Sequence, residues 1–200
     1  MVNFTSNTYQ MKREILTFTN KISKHLSKPD KKFSADMTYG ILASESCLLT
    51  DIVDHLHENT KKVNSIERLT RHLNNGTSST ALKSYLTTIR KWAPQEPVIH
   101  IDDSDVAKPD GYKFEALGLV RDGSKSTASK TVYVKGYHVT EACVLTKNNH
   151  PVSIFSEIHS SKEKHFTSIN DLTFSAMERG AALFGKATFA MDRGYDDNKM

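Results

Sequence analysis

Two segments of the chain end in aspartate: Val98-Ile99-His100-Ile101-Asp102-Asp103-Ser104 and Ala187-Thr188-Phe189-Ala190-Met191-Asp192-Arg193. Each is a short, mostly apolar run, which reads as a strand with a carboxylate at its C-terminal end. Two carboxylates on neighbouring strands supply half of a site for a hard divalent cation, because such ions take oxygen ligands. Phosphodiester cleavage uses two Mg²⁺ ions about 3.5–4 Å apart, one serving the attacking oxygen and one the leaving oxygen. A third carboxylate is usually needed to hold both. An aspartate at a strand end is by itself an ordinary cap or turn residue, so the chemistry depends on what surrounds it.

The elements that would position these aspartates fall into two regions. Residues 1–93 read as helices. Met11, Ile15, Phe18, Ile22 and Leu26 recur at helical spacing within Tyr9 to Leu26, and Pro29-Asp30 ends that run. Phe33, Met37, Ile41 and Leu42 predict a second helix, and Thr50 is a candidate cap for a short third one carrying Ile52, Val53 and Leu56. Val63, Ile66, Leu69 and Leu73 predict a fourth, closed by Asn75-Gly76. A fifth runs from about Ser78 to Trp92 with Leu82, Tyr85, Leu86 and Ile89 inward. The short helix, brief turn and longer helix at 49–75 form a candidate helix-turn-helix, whose second helix is expected to expose Asn64, Arg68, Arg71 and His72 to phosphates and base edges.

Pro94 and Pro97 mark the boundary between a helical region, 1–94, and a second region, 95–200, with a different period. Residues 98–103 read as a strand and 104–131 as a long Gly-, Ser-, Lys- and Asp-rich excursion. Val132–Leu145 and Val152–Ile158 read as a hairpin turning at Asn148-Asn149. Ser168 caps a helix that Gly185 stops near Phe184, and Thr188–Asp192 is the last strand. The order strand, hairpin, helix, strand predicts a mixed sheet with a crossover helix, so the fold class is α+β or α/β behind an N-terminal helical bundle.

The 200 residues are 38% hydrophobic and 25% charged, which describes a globular chain. No apolar run approaches the roughly 18 residues of a membrane span. The N-terminus lacks a secretion signal, and Cys47 and Cys143 form no CxxC pair, so both are expected as reduced thiols in a cytoplasm. Residues 1–94 carry 14 Lys/Arg against 8 Asp/Glu, a balance of +6, whereas 95–200 carry 13 against 15, a balance of −2. Phosphate binding by the first region and metal binding by the second would fit this asymmetry.

The segment Ile99-His100-Ile101-Asp102-Asp103-Ser104-Asp105-Val106-Ala107-Lys108-Pro109 resembles the first catalytic strand of bacterial insertion-sequence transposases of the DDE type. Phe189-Ala190-Met191-Asp192-Arg193-Gly194-Tyr195-Asp196-Asp197 looks like their second. Val120-Arg121-Asp122-Gly123-Ser124, Lys135-Gly136-Tyr137-His138 and Ser160-Ser161-Lys162-Glu163 fit the same pattern between them, and Phe33 to Asn74 resembles the family's helical DNA-binding region. The resemblance implies a ribonuclease-H-like catalytic domain and cut-and-paste DNA transposition. It implies that Asp103, which precedes a Ser, and Asp192 are catalytic and coordinate Mg²⁺ (or Mn²⁺), with Asp102 flanking. Lys108, Lys135 and Arg193 would contact phosphates beside Asn64, Arg68 and Arg71. The expected partners are double-stranded DNA at transposon ends and a second copy of the chain on that DNA, and the expected location is the bacterial cytoplasm, at the nucleoid.

The family's third carboxylate is a glutamate on a helix beyond the second aspartate, in a Tyr-Arg-Glu-Lys-type signature. No residue after Arg193 fits it, and the sequence ends eight residues after Asp192. Glu157 and Glu163 precede Asp192, while Asp196 and Asp197 follow it in a loop. The expectation is therefore a truncated or fragmentary transposase. A non-catalytic DNA-binding fragment that inhibits transposition is the main alternative, and a non-transposing nuclease of similar fold is a second.

Overall fold

The computed structural model describes residues 6–192, an α+β chain with six helices and a mixed open sheet among those residues. It divides into two compact units between Thr88 and Ile89. The expected boundary at Pro94 lies a few residues further on; the division falls inside a helix, whose last turn groups with the sheet.

The first unit contains α1 (Ser6–Ile22), α2 (Lys28–Ser44), α3 (Leu49–Leu56), α4 (Lys62–Asn75) and most of α5 (Ser79–Trp92). Pro29 opens α2 as well as following α1. It sits in the first helical turn, where its missing N–H is not needed, and Ser27 is the N-cap, its hydroxyl accepting from the Asp30 N–H at 3.3 Å. The N-cap of α3 is Leu48 rather than Thr50, and the Leu48 N–H is taken by the Ser46 hydroxyl. Ile52, Val53 and Leu69 form the core of this unit, with Phe33, Met37, Ile41, Leu49, Leu56 and Ile66 packed against it. Gly40 is what lets α3 approach α2, since a Cβ there would overlap the Ile52 side chain. Val63 and Leu73, expected inward, are about half exposed, because the contact face of α4 is centred on Ser65 and Leu69 and its ends overhang it.

The second unit is built on β1 (Val98–Ala107), β2 (Gly118–Arg121), β3 (Tyr133–Leu145), β4 (Pro151–His159), α6 (Ile169–Phe184) and β5 (Thr188–Met191). The 13-residue β3 is its spine. One edge of β3 pairs antiparallel with β1; the other takes β2 along its first four residues and β4 along the rest. β5 pairs parallel with the far edge of β1, Val98 opposite Thr188 through Ile101 opposite Met191. β2 was not anticipated within the 104–131 excursion, and β1 is four residues longer than expected.

The crossover helix α6 has the predicted ends: the Ser168 hydroxyl accepts from Asn170 N–H, and the Gly185 N–H donates to Ala181 C=O at φ 79°. Its buried residues Thr173, Ala176, Gly180 and Phe184 recur at helical spacing. A Cβ on Gly180 would strike Ile99 Cδ1 at 2.5 Å, so α6 lies close over the face that Ile99 presents. Ile99, Ile101, Ala142 and Val144 on that face are essentially fully buried. No helix among the described residues is long and apolar enough to cross a membrane.

Candidate functional site

The C-terminal half of β1 carries Asp102, Asp103 and Asp105. Side chains alternate across a strand, so Asp103 and Asp105 share the α6-covered face with Ile99 and Ile101, while Asp102 points to the opposite face with His100. Asp102 is exposed and lies opposite Glu141; Asp103 is half-buried and lies opposite Thr140. The β1–β5 pairing carries Asp192 to the same end of the sheet. The last pair is Ile101 with Met191, and Asp192 follows directly after the strand, so it leaves β5 at the end of the sheet where Asp102 and Asp103 lie on β1.

Asp103 is fixed by a relay across three strands. The buried Thr140 hydroxyl donates to Asp103 Oδ1 at 2.5 Å and lies 3.0 Å from His159 Nε2. With the Thr140 proton given to Asp103, the hydroxyl oxygen accepts from His159, which puts the ring proton on Nε2. His159 Nδ1 is then buried without a hydrogen-bond partner. Burial pushes the His159 pKa below the usual histidine value, although the Asp103 charge opposes it, so the ring stays neutral. His159 also stacks between His138 and Phe166, at centroid distances of 5.5 and 5.7 Å. Asp105 is committed elsewhere: one oxygen lies 2.7 Å from His138 Nδ1, and the other accepts from Arg121 N–H at 3.0 Å.

The donor set at this end is hard oxygen, which suits Mg²⁺ or Mn²⁺ better than a softer metal. The hydrogen bond from Thr140 goes to Asp103 Oδ1, and Oδ2 has no hydrogen-bond partner among the described residues. No group of three or more His, Cys, Asp or Glu side chains able to hold a metal ion exists among the described residues. Arg193, Asp196 and Asp197 lie outside them.

Lys108 and Lys135 are brought together: β1 ends where Lys108 N–H donates to Lys135 C=O at 2.7 Å. The Lys135 ammonium sits 5.8 Å over the ring of Tyr112.

In the helical unit, the four polar residues expected on the open face of α4 separate into two pairs. Asn64 and Arg71 are exposed, seven residues apart and so on one face. Arg68 and His72 instead turn toward α2. Arg68 Nη2 lies 2.8 Å from Asp36 and 2.9 Å from Glu58, and His72 stacks on Phe33 with a centroid distance of 5.0 Å. Lys32 completes the network, 2.6 Å from Glu58 and 2.9 Å from Asp36, and the Ser65 hydroxyl donates to Glu58 at 2.6 Å. Burial alone would raise the Glu58 carboxyl, but hydrogen bonds from Lys32, Ser65 and Arg68, with the Arg68 charge, bring it down to about 2. Arg68 therefore clamps the α3–α4 turn onto α2, and the helix surface left for a partner is Asn64, Glu67, Thr70, Arg71 and Asn74.

No protein-family model matches the chain, and no curated protein is significantly similar to it.

Proposed function

We propose that this chain acts in DNA transposition as a DDE-type transposase. The helical unit binds duplex DNA at transposon ends through α4, and the sheet unit supplies Asp103 and Asp192 to an Mg²⁺- or Mn²⁺-dependent strand cleavage and transfer site. The observation that carries this reading is the return of the chain from β4 through α6 to β5, which sets β5 parallel to β1, two strands that both run out into aspartate. A meander of β1, β3 and β4 on one side of β1 and a parallel strand on the other suits the ribonuclease-H-like sheet that the resemblance implies.

In this reading Asp103 and Asp192 hold the ion, and the Thr140–His159 relay keeps the Asp103 carboxylate oriented. A bound divalent ion would activate the attacking oxygen and stabilise the leaving one. Lys108, at the end of β1, would hold the phosphate backbone leading to that point, whereas the Lys135 side chain projects from the other face of the sheet. Asn64 and Arg71 would contact the transposon end, and Arg68 supports them by fixing the turn.

Titration calorimetry with Mg²⁺ and Mn²⁺ tests the site. Asp103→Asn and Asp192→Asn should each weaken ion binding by tenfold or more. An affinity indifferent to Asp192→Asn removes the shared site. The alternative, a non-catalytic DNA-binding inhibitor, draws on the lack of a third ligand among the described residues; it predicts duplex binding with no ion binding at all.

A further inference from the structure

We infer that the open sheet face around β2 and the start of β3, with the loop after β1, is a platform for single-stranded nucleic acid. It is separate from α4 and from the aspartates, and does not rest on the transposition reading.

The register builds the patch. Leu119 lies opposite Lys135 and Arg121 opposite Tyr133, so these four side chains project from the face away from α6. Leu119 and Tyr133 are each 63% exposed. The loop between β1 and β2 is tied down beside them. Lys108 N–H bonds Lys135 C=O, Phe114 N–H bonds Gly111 C=O, and the Tyr137 hydroxyl donates to Glu115 C=O. This presents Tyr112 against the Lys135 ammonium while leaving its ring 79% exposed, and Phe114 is 55% exposed nearby in the chain.

Charge chooses the occupant. Residues 106–137 hold six Lys/Arg (108, 113, 121, 125, 130, 135) against three Asp/Glu (110, 115, 122), inside a region whose overall balance is −2. Asp122 is paired with Lys125 at 3.2 Å, so these two cancel and leave five Lys/Arg against two Asp/Glu. Exposed aromatic rings interleaved with cations suit unpaired bases, which stack on the rings while the cations meet the phosphates. In a duplex the base faces are already stacked on each other, so the rings would gain nothing and only the cations would contribute.

The test uses the full chain and fluorescence anisotropy with a labelled oligothymidine of about 15 nucleotides, beside a duplex of equal length. The expected result is oligothymidine binding that Tyr112→Ala and Tyr133→Ala each weaken about tenfold, that Tyr133→Phe retains, and that Lys113→Ala with Lys135→Ala makes less salt-dependent. Arg71→Ala should weaken duplex binding and leave oligothymidine binding unchanged, which separates this platform from α4. Both tyrosines are exposed, so circular dichroism of the variants should match the parent. Absence of oligothymidine binding at low salt, or tyrosine-to-alanine variants that bind it like the parent, overturns the inference. So does an equal loss of duplex and single-strand affinity in those variants, which would make the patch a backbone contact only.

Discussion

Replacing Glu58 with glutamine should loosen the clamp that holds the α3–α4 turn, and the size of the effect follows from its hydrogen bonds. Glu58 receives Lys32, Ser65 and Arg68, drawing together α2, the turn and α4. Its carboxyl stands at about 2, against an ordinary value of 4.5. That difference corresponds to at most about 3 kcal/mol of folding free energy. The Lys32 side chain is 51% exposed, so solvent screens part of the network, and about 1–2 kcal/mol is the expected net loss. For a helical unit of this size that lowers Tm by about 5–10 °C at pH 7. The pH dependence carries a sharper signature. A carboxyl depressed in the folded state contributes its stability above pH 4.5, and loses it as the pH falls toward 2. Thermal unfolding followed at 222 nm should therefore show parent and Glu58→Gln separated at pH 7 and converging between pH 4.5 and 2. A gap that is absent at pH 7, or equally wide at pH 2.5, refutes the reasoning.

Arg68→Ala should reduce stability by about 1–3 kcal/mol, because it takes one of the two cationic partners from two partly buried carboxylates, whereas Arg71→Ala should leave the melting curve alone and lower the salt dependence of duplex binding by about one counterion. Melting and salt-titrated binding of the two variants check this pair. Gly40→Ala should destabilise by about 1–3 kcal/mol in urea, since the overlap with Ile52 outweighs the gain in helix propensity of about 1 kcal/mol. Thr140→Val should cost about 1–3 kcal/mol in urea by leaving Asp103 Oδ1 and His159 Nε2 unsatisfied. His159, held neutral by burial, should titrate below 6.5 by NMR; the unfolded chain takes up that proton first, so its contribution to stability falls as the pH drops below 6.5.

Much of the second unit was legible because its signals are local. Ser168 and Gly185 mark the ends of α6 by their own backbone chemistry, and Asn148-Asn149 turns the β3–β4 hairpin. What could not be read depends on partners far along the chain. Arg68 looks like an open-face residue until Asp36 and Glu58, 32 and 10 positions away in the sequence, are placed around it. Thr140, which holds Asp103, and His159, which holds Thr140, come from two other strands. β2 is four residues between turn-rich stretches, and only the pairing with the start of β3 makes it a strand. The relay behind Asp103 left one trace in the sequence, the Thr140 and His159 positions within alternating runs, but nothing there distinguishes them from ordinary strand residues.

The parallel pair of β1 with β5 also sets an order of events during synthesis. Its partners, Val98 and Thr188, are 90 positions apart, whereas α2, α3 and α4 meet their neighbours within a few tens of residues. Contacts that close long loops form late, and chains emerge N-terminus first, so the helical unit can be complete while the sheet is still being made. Until β5 leaves the ribosome, one edge of β1 is bare, and until α6 follows β4 the Ile99 and Ile101 side chains have no cover. A nascent chain at that length offers an open strand edge beside an apolar face, the combination that holdase chaperones bind and that other unfinished chains pair with. Slowing translation between residues 107 and 188 should therefore lower the soluble yield of the sheet unit far more than the same delay placed within the helical unit.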